Sequence, residues 1–158
     1  MRTFKTCVGK VAVLTIDEAT DHAVADASIA LAWVLPGEGF DVALRLRSQA
    51  IERPLVLLCP PTFWYEVANA LWVAIRRGRL TYDDAHRALN ALQDFEFEPH
   101  DVYAAACLSL SAKYSLAVYD AAYVVLATDS RAPLWSLDRQ MADVARVVGV
   151  TVLPDLKG

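Results

Sequence analysis

The sequence lacks any apolar run long enough to cross a bilayer. Its longest apolar stretches, Val67 to Ile75 and Ala121 to Ala127, fall well short of the about 20 residues that a spanning helix needs, so no membrane segment is predicted. Near the amino terminus Val11 to Ile16 is apolar, but Asp17 and Glu18 come at once after it with no small-residue cleavage site, which argues against a secretory leader and for a cytoplasmic location. Cysteine is also scarce. Cys7, Cys59 and Cys107 are odd in number, scattered, and show none of the paired spacings that bind zinc; they read as reduced, mostly buried thiols. With only 6 Gly and 7 Pro against 56% hydrophobic residues, a disordered or fibrous chain is excluded, and 158 residues suffice to bury one core without staples.

Positive charge is the last thing missing. The net charge of −4 runs against the Lys and Arg excess usual in proteins that handle nucleic acid. The imbalance is local: four acids suited to holding cations, Asp26, Glu66, Asp120 and Asp138, account for the difference between 19 Asp plus Glu and 15 Lys plus Arg. The rest of the chain is formally neutral, which neither excludes a nucleic-acid substrate nor argues for one.

What is present is an alternation of short apolar strands with helical periods. Residues 1–22 differ from the rest of the chain, mixing an alternating stretch around Val11, Val13 and Thr15 with the acids Asp17, Glu18 and Asp21. They read as an N-terminal extension before a domain of residues 23–158: an extra edge strand, a loosely packed arm, or the result of an upstream start codon. Ala23 to Ala27 then reads as a strand, Ser28 to Leu35 as a helix stopped by Pro36 and Gly37, and Gly39 to Arg53 as a second helix. Leu55 to Cys59, apolar throughout and bounded by prolines, reads as a strand buried on both faces. A helix from Thr62 to Arg77 stops at Gly78, and Thr81-Tyr-Asp-Asp opens another to about Leu92. Phe95 to Glu98 is predicted as a strand, Asp101 to Tyr114 and Tyr119 to Thr128 as helices, and Pro133 to Leu137 as a strand. Asp138 to Val148 is a further helix, and Val150 to Leu153 a last strand. This pattern predicts an α/β fold: three layers, with a mainly parallel central sheet covered by helices on both faces.

In such a sheet ligands collect beyond the carboxyl ends of the strands, and several acids fall there. Asp26 ends the first strand and Asp138 comes after a later one; for either alone, an ordinary helix cap is an adequate explanation. Glu66 and Asp120 are harder to explain that way. Glu66 sits one turn into an apolar helix with Asn69 on the same face, and Asp120 is the lone charge in Ala117-Val-Tyr-Asp-Ala-Ala-Tyr-Val-Val-Leu126. Carboxylates that converge need compensating positive charge, and an all-oxygen set suits Mg²⁺ or Mn²⁺. Such ions activate water and stabilise a developing phosphorane, so phosphodiester hydrolysis is the natural reaction.

Four fragments carry a resemblance: Asp26-Ala-Ser28 with Ala30-Leu-Ala-Trp-Val-Leu-Pro36; Glu66-Val-Ala-Asn-Ala-Leu71; Tyr119-Asp-Ala-Ala-Tyr-Val-Val-Leu-Ala127; and Trp135-Ser-Leu-Asp138. In order and spacing, from about Val24 to Leu153, the chain resembles the PIN-domain nucleases, in particular the VapC-like toxins of toxin–antitoxin pairs. The resemblance implies that Asp26, Glu66, Asp120 and Asp138 are the catalytic, metal-binding acids, supported by Ser28, Asn69 and Ser136, the last standing where Thr is commoner. It further implies a Mg²⁺- or Mn²⁺-dependent endoribonuclease acting on RNA, a cognate antitoxin that blocks the acidic pocket, and a homodimer. Two other readings stay open on the residues: a PIN-fold binding or regulatory module without catalysis, and a phosphatase-like hydrolase with an Asp nucleophile. The latter lacks the second Asp two positions after Asp26. Arg76, Arg77 and Arg79 read as a solvated helix end, His22, His86 and His100 as surface residues, and the four tryptophans as core or interface aromatics.

Overall fold

The computed structural model describes residues 22–35, 40–53 and 55–155; the expectations for residues 1–21 and for Pro36, Gly37 and Pro54 lie outside the described residues. The elements run in the order β1 (His22–Ala25), α1 (Ala27–Val34), α2 (Phe40–Glu52), β2 (Val56–Cys59), α3 (Phe63–Arg76), α4 (Tyr82–Gln93), β3 (Phe97–Pro99), α5 (Ala104–Tyr114), α6 (Val118–Ser130), β4 (Leu134–Trp135), α7 (Arg139–Val147) and β5 (Val152–Leu153). The five strands pair in the order β3-β2-β1-β4-β5, every pairing parallel. The apolar stretches His-Ala-Val-Ala and Val-Leu-Leu-Cys form the central pair β1 and β2, buried almost throughout as a strand covered on both faces requires.

Strand order fixes where a site can form. From β1 the chain steps outward to β2 and β3, then returns past β1 to β4 and β5, so the direction of winding reverses between β1 and β4. With right-handed crossovers this puts α1 to α4 on one face and α5 to α7 on the other, in keeping with the packing of α1 on α2, α3 and α4 and of α6 on α5 and α7. The carboxyl ends of β1 and β4 flank the crevice at that switch point.

The core is aromatic under the first layer. Trp33 meets Phe95 at 4.7 Å between ring centroids and Phe63 stacks on Phe97 at 4.5 Å. The Trp33 indole nitrogen donates to the Ala43 carbonyl at 2.8 Å, pinning α1 to α2. Trp33 and Trp135 are buried, whereas Trp72 is 54% exposed. Helix α4 opens with the expected capping box, Thr81 and Asp84 satisfying each other's backbone amides, and α3 ends before Gly78, whose φ of +66° suits a residue without Cβ.

Several boundaries move from their sequence expectation, among them those of β3, α5 and β4. β3 begins at Phe97 because the Phe95 amide closes a turn on Leu92 while its ring packs on Trp33. α5 begins at Ala104, the preceding residues 101–103 being non-helical. β4 is only two residues long because the Leu137 and Asp138 amides turn to the hydroxyls of Ser28 and Ser136, leaving the strand ladder. His22 also departs from its reading as a surface residue: it starts β1, half-buried, with Nε2 3.3 Å from the Ser130 carbonyl. Among the described residues no helix is long and apolar enough to cross a membrane.

Candidate active site

Asp26 is the N-cap of α1 and is almost fully buried, with a relative exposure of 3%. Its Oδ1 accepts the Ile29 amide at 3.0 Å and the Ser28 hydroxyl at 2.6 Å, and its Oδ2 accepts the Ser136 hydroxyl at 2.7 Å. Both hydroxyls are themselves acceptors, Ser28 Oγ for the Leu137 amide and Ser136 Oγ for the Asp138 amide, each at 3.0 Å. The strand end of β1 is thus laced to the β4–α7 turn through Asp26, with Asp138 capping α7 by accepting the Met141 amide at 2.8 Å. Capping explains where these two acids sit, but it leaves open why one of them is buried.

Glu66 enters from α3, in the layer of α1 to α4. In the first turn of α3, its Oε1 accepts the Thr62 hydroxyl at 2.7 Å and its Oε2 the Tyr123 hydroxyl at 3.0 Å. Tyr123 lies one turn beyond Asp120 on α6, so this bond joins the two helical layers over the sheet end. All four acids therefore face one end of the sheet. Asn69 is exposed on α3 and takes no part in the hydrogen bonds around the acids.

Sequence reasoning missed Thr62 and Tyr123. Thr62 stands four residues before Glu66 and Tyr123 three after Asp120, spacings that place each on the face of its acid. The apolar surroundings of Tyr123 made it look like core, and its ring is core; only the hydroxyl belongs to the site.

The electrostatics are those of uncompensated negative charge. Burial raises the Asp26 carboxyl to about 6, opposed by the hydrogen bonds from Ser28, Ser136 and Ile29 and assisted by the charge of Asp138. Burial also raises Asp120, helped by the nearby charges of Asp138 and Glu66, and the Tyr123 phenol rises with burial and its contact with Glu66. Cys59, under the site, is pushed up to about 12 by burial and by Glu66, which makes it an inert thiol; it and Cys107 are free and buried. No Lys or Arg of the described residues is among the influences on Asp26 or Asp120. The donor set, oxygen throughout and unneutralised, suits a hard divalent cation. As the side chains stand, though, no three His, Cys, Asp or Glu among the described residues are gathered closely enough to hold one. The exposed Asp138 and half-exposed Asp120 are the acids with room to turn toward the buried Asp26.

Residues 23–147 match the PIN domain family. The chain belongs to that family. This PIN domain is 40% identical over 125 residues to Ribonuclease VapC3 of Pyrobaculum aerophilum, an alignment covering 76% of the chain and 92% of that protein. Its fold matches the crystal structure of the P. aerophilum protein PAE2754 with a TM-score of 0.61 at 25% identity, over 84% of this chain and 90% of that one. It also matches VapC20 of Mycobacterium tuberculosis, described as a sarcin-ricin loop cleaving toxin, with a TM-score of 0.58 over 82% of this chain and 96% of that one. At 14% identity the latter likeness shows the fold alone. The expected three-layer α/β PIN-like architecture is therefore the one observed.

Tyr123 offers a first test of the PIN domain's site. Tyr123→Phe keeps the buried ring but takes a donor from Glu66, so divalent-metal affinity is expected to fall about tenfold, with melting moved by only a few degrees. Titration calorimetry beside thermal unfolding checks both; an equal loss of stability and affinity would reduce Tyr123 to a core residue.

Proposed function

We propose that this PIN domain is a metal-dependent endoribonuclease and the toxin of a toxin–antitoxin pair, with Asp26, Glu66, Asp120 and Asp138 as its catalytic, metal-binding acids. The observation that carries the reading is the Tyr123–Glu66 bond, which joins α3 and α6 over the sheet end where Asp26 and Asp138 lie, with no Lys or Arg of the described residues among the influences on Asp26 or Asp120. The 40% identity to a protein named a ribonuclease supports the substrate class. A bound Mg²⁺ or Mn²⁺ would supply Lewis acidity and an activated water for attack on phosphorus. The chain's own residues hold the carboxylates: Ser28, Ser136 and the Ile29 amide fix Asp26, and Thr62 and Tyr123 fix Glu66, so that two of the four donors are oriented before any ligand arrives. Asp120, which accepts none of the hydrogen bonds around the site, and Asp138 complete the set. An antitoxin that covers the acids and a homodimer belong to the same proposal.

Purified protein incubated with structured RNA is expected to cut it in Mg²⁺ or Mn²⁺ and to stop in EDTA. Metal-independent cleavage would refute the reading. One observation favours a second: the acids are not gathered to ligand distance as they stand, which suits a PIN-fold binding or regulatory module that has lost catalysis. Calorimetry separates the two, since that module would take up no divalent metal.

A further inference from the structure

Two exposed tyrosine rings in the first turns of α3 and α6, the helix ends at the same end of the sheet as the acids, have no partner within the described chain. Tyr65 precedes Glu66 in the first turn of α3 and is 79% exposed; Tyr119 precedes Asp120 in the first turn of α6 and is 65% exposed. Among the described residues neither side chain makes a hydrogen bond or a ring contact. Tyr123, a turn further along α6, is the contrast, its ring buried and its hydroxyl committed to Glu66. Because α3 and α6 belong to layers on opposite faces of the sheet, the first turns that carry the two rings flank the sheet end from opposite sides.

Charge decides what such rings would serve. The chain carries −4 and its site four carboxylates, so fixed charge repels a phosphate backbone instead of drawing it in. A cation compensates only at the phosphate it touches. Affinity for the neighbouring nucleotides must come from contacts that need no positive charge, and base–aromatic stacking is such a contact, tolerant of sequence because every base has a π-face. We propose that Tyr65 and Tyr119 are stacking platforms for the nucleobases on either side of the phosphate to be cut, which selects RNA that is unpaired and unstacked at that point. The proposal rests on the ribonuclease reading and adds to it a pair of substrate-gripping residues. Bases held in a duplex are already stacked on their neighbours and cannot take either ring.

The test is fluorescence anisotropy with a labelled single-stranded oligouridylate, whose bases are unpaired and unstacked, beside a labelled G·C-rich RNA duplex of the same length, in EDTA at low salt. Single-stranded RNA is expected to bind better than duplex. Tyr65→Ala and Tyr119→Ala should each weaken binding about tenfold, and Tyr→Phe at either position should retain it, because the ring and not the hydroxyl carries the contact. The dependence on salt should be shallow, as few phosphates are neutralised. In cleavage assays the Ala variants should raise KM and spare kcat. Unchanged melting is expected from residues this exposed and keeps misfolding out of the comparison. Loss of oligonucleotide binding in the Ala variants supports the proposal even where no metal produces cleavage, an outcome that would sink the ribonuclease reading alone. Cleavage with wild-type binding and KM in both Ala variants overturns the proposal and leaves that reading standing. Absence of binding by the unmodified chain overturns it, as does loss of self-association in the Ala variants without loss of RNA, which would assign the rings to a protein interface.

Discussion

Asp120→Asn is expected to lower RNA cleavage by about three orders of magnitude while leaving the fold at least as stable. The rate loss is the larger effect. A metal site contributes several kcal/mol of transition-state stabilisation, and taking the charge from one of four carboxylates forfeits much of it; about 4 kcal/mol corresponds to that thousandfold. Stability moves the other way because Asp120 is held at a cost in the free protein. Burial and the charges of Asp138 and Glu66 all disfavour its ionised form, and no hydrogen bond around the site compensates. Against this, a negative charge in the first turn of α6 interacts favourably with the helix dipole by about 0.3 to 1 kcal/mol. Asparagine keeps the shape, gives up the dipole interaction and removes the repulsion, so the net change in melting is small or upward. Single-turnover cleavage in Mg²⁺ beside thermal unfolding in EDTA reads both. Full activity would remove Asp120 from the catalytic set, and a fall in activity matched by a fall in melting would make it structural.

That pairing of lost activity with retained stability separates a functional carboxylate from a structural one, and the sequence carried only part of the distinction. The layer architecture was legible because it arises from patterning: Leu55 to Cys59 can only be a strand covered on both faces, and the long period from Thr62 to Arg77 only a helix lying on a core. Glu66 and Asp120 stood out as candidates because a lone carboxylate in an apolar segment demands an explanation, and Asp26 and Asp138 because they fall at the ends of strands. The unequal circumstances of those acids were not legible. Asp26 and Asp138 look alike in sequence, each an acid at the end of a strand and the start of a helix, yet one is buried beneath two serine hydroxyls and the other is exposed. That difference arises from contacts between residues 110 positions apart. The Glu66–Tyr123 bond spans 57 positions and is likewise beyond any periodicity. Local spacing reports which face a residue occupies; what meets that face is set by the winding of the sheet.

The burial of Asp26 gives the second large effect, a pH dependence of stability in the metal-free protein. A carboxyl group whose pKa is higher in the fold than in the unfolded chain favours folding only while protonated. Its contribution is fully present below the unfolded value and is lost as pH rises through the folded one. For Asp26 the window runs from 3.8 to about 6, and the loss across it is on the order of 3 kcal/mol. Asp26→Asn has no such window. The amide oxygen still accepts from the Ile29 amide and the Ser28 hydroxyl, while its NH₂ meets the Ser136 oxygen, which already accepts the Asp138 amide, so that hydroxyl must find another acceptor at a cost of about 1 kcal/mol. In EDTA at pH 7.5 the variant is therefore expected to melt about 5 °C above the unmodified chain, and at pH 4 no higher than it. Mg²⁺ should close the gap by raising the unmodified chain alone, because the ion binds the ionised carboxylate and stabilises the state to which it binds. Melting curves for both proteins across pH 4 to 8, with and without Mg²⁺, carry the test. Parallel pH profiles in EDTA would show that Asp26 ionises in the fold as readily as in the unfolded chain, and that its hydrogen bonds from Ser28, Ser136 and Ile29 fully offset the cost of its burial.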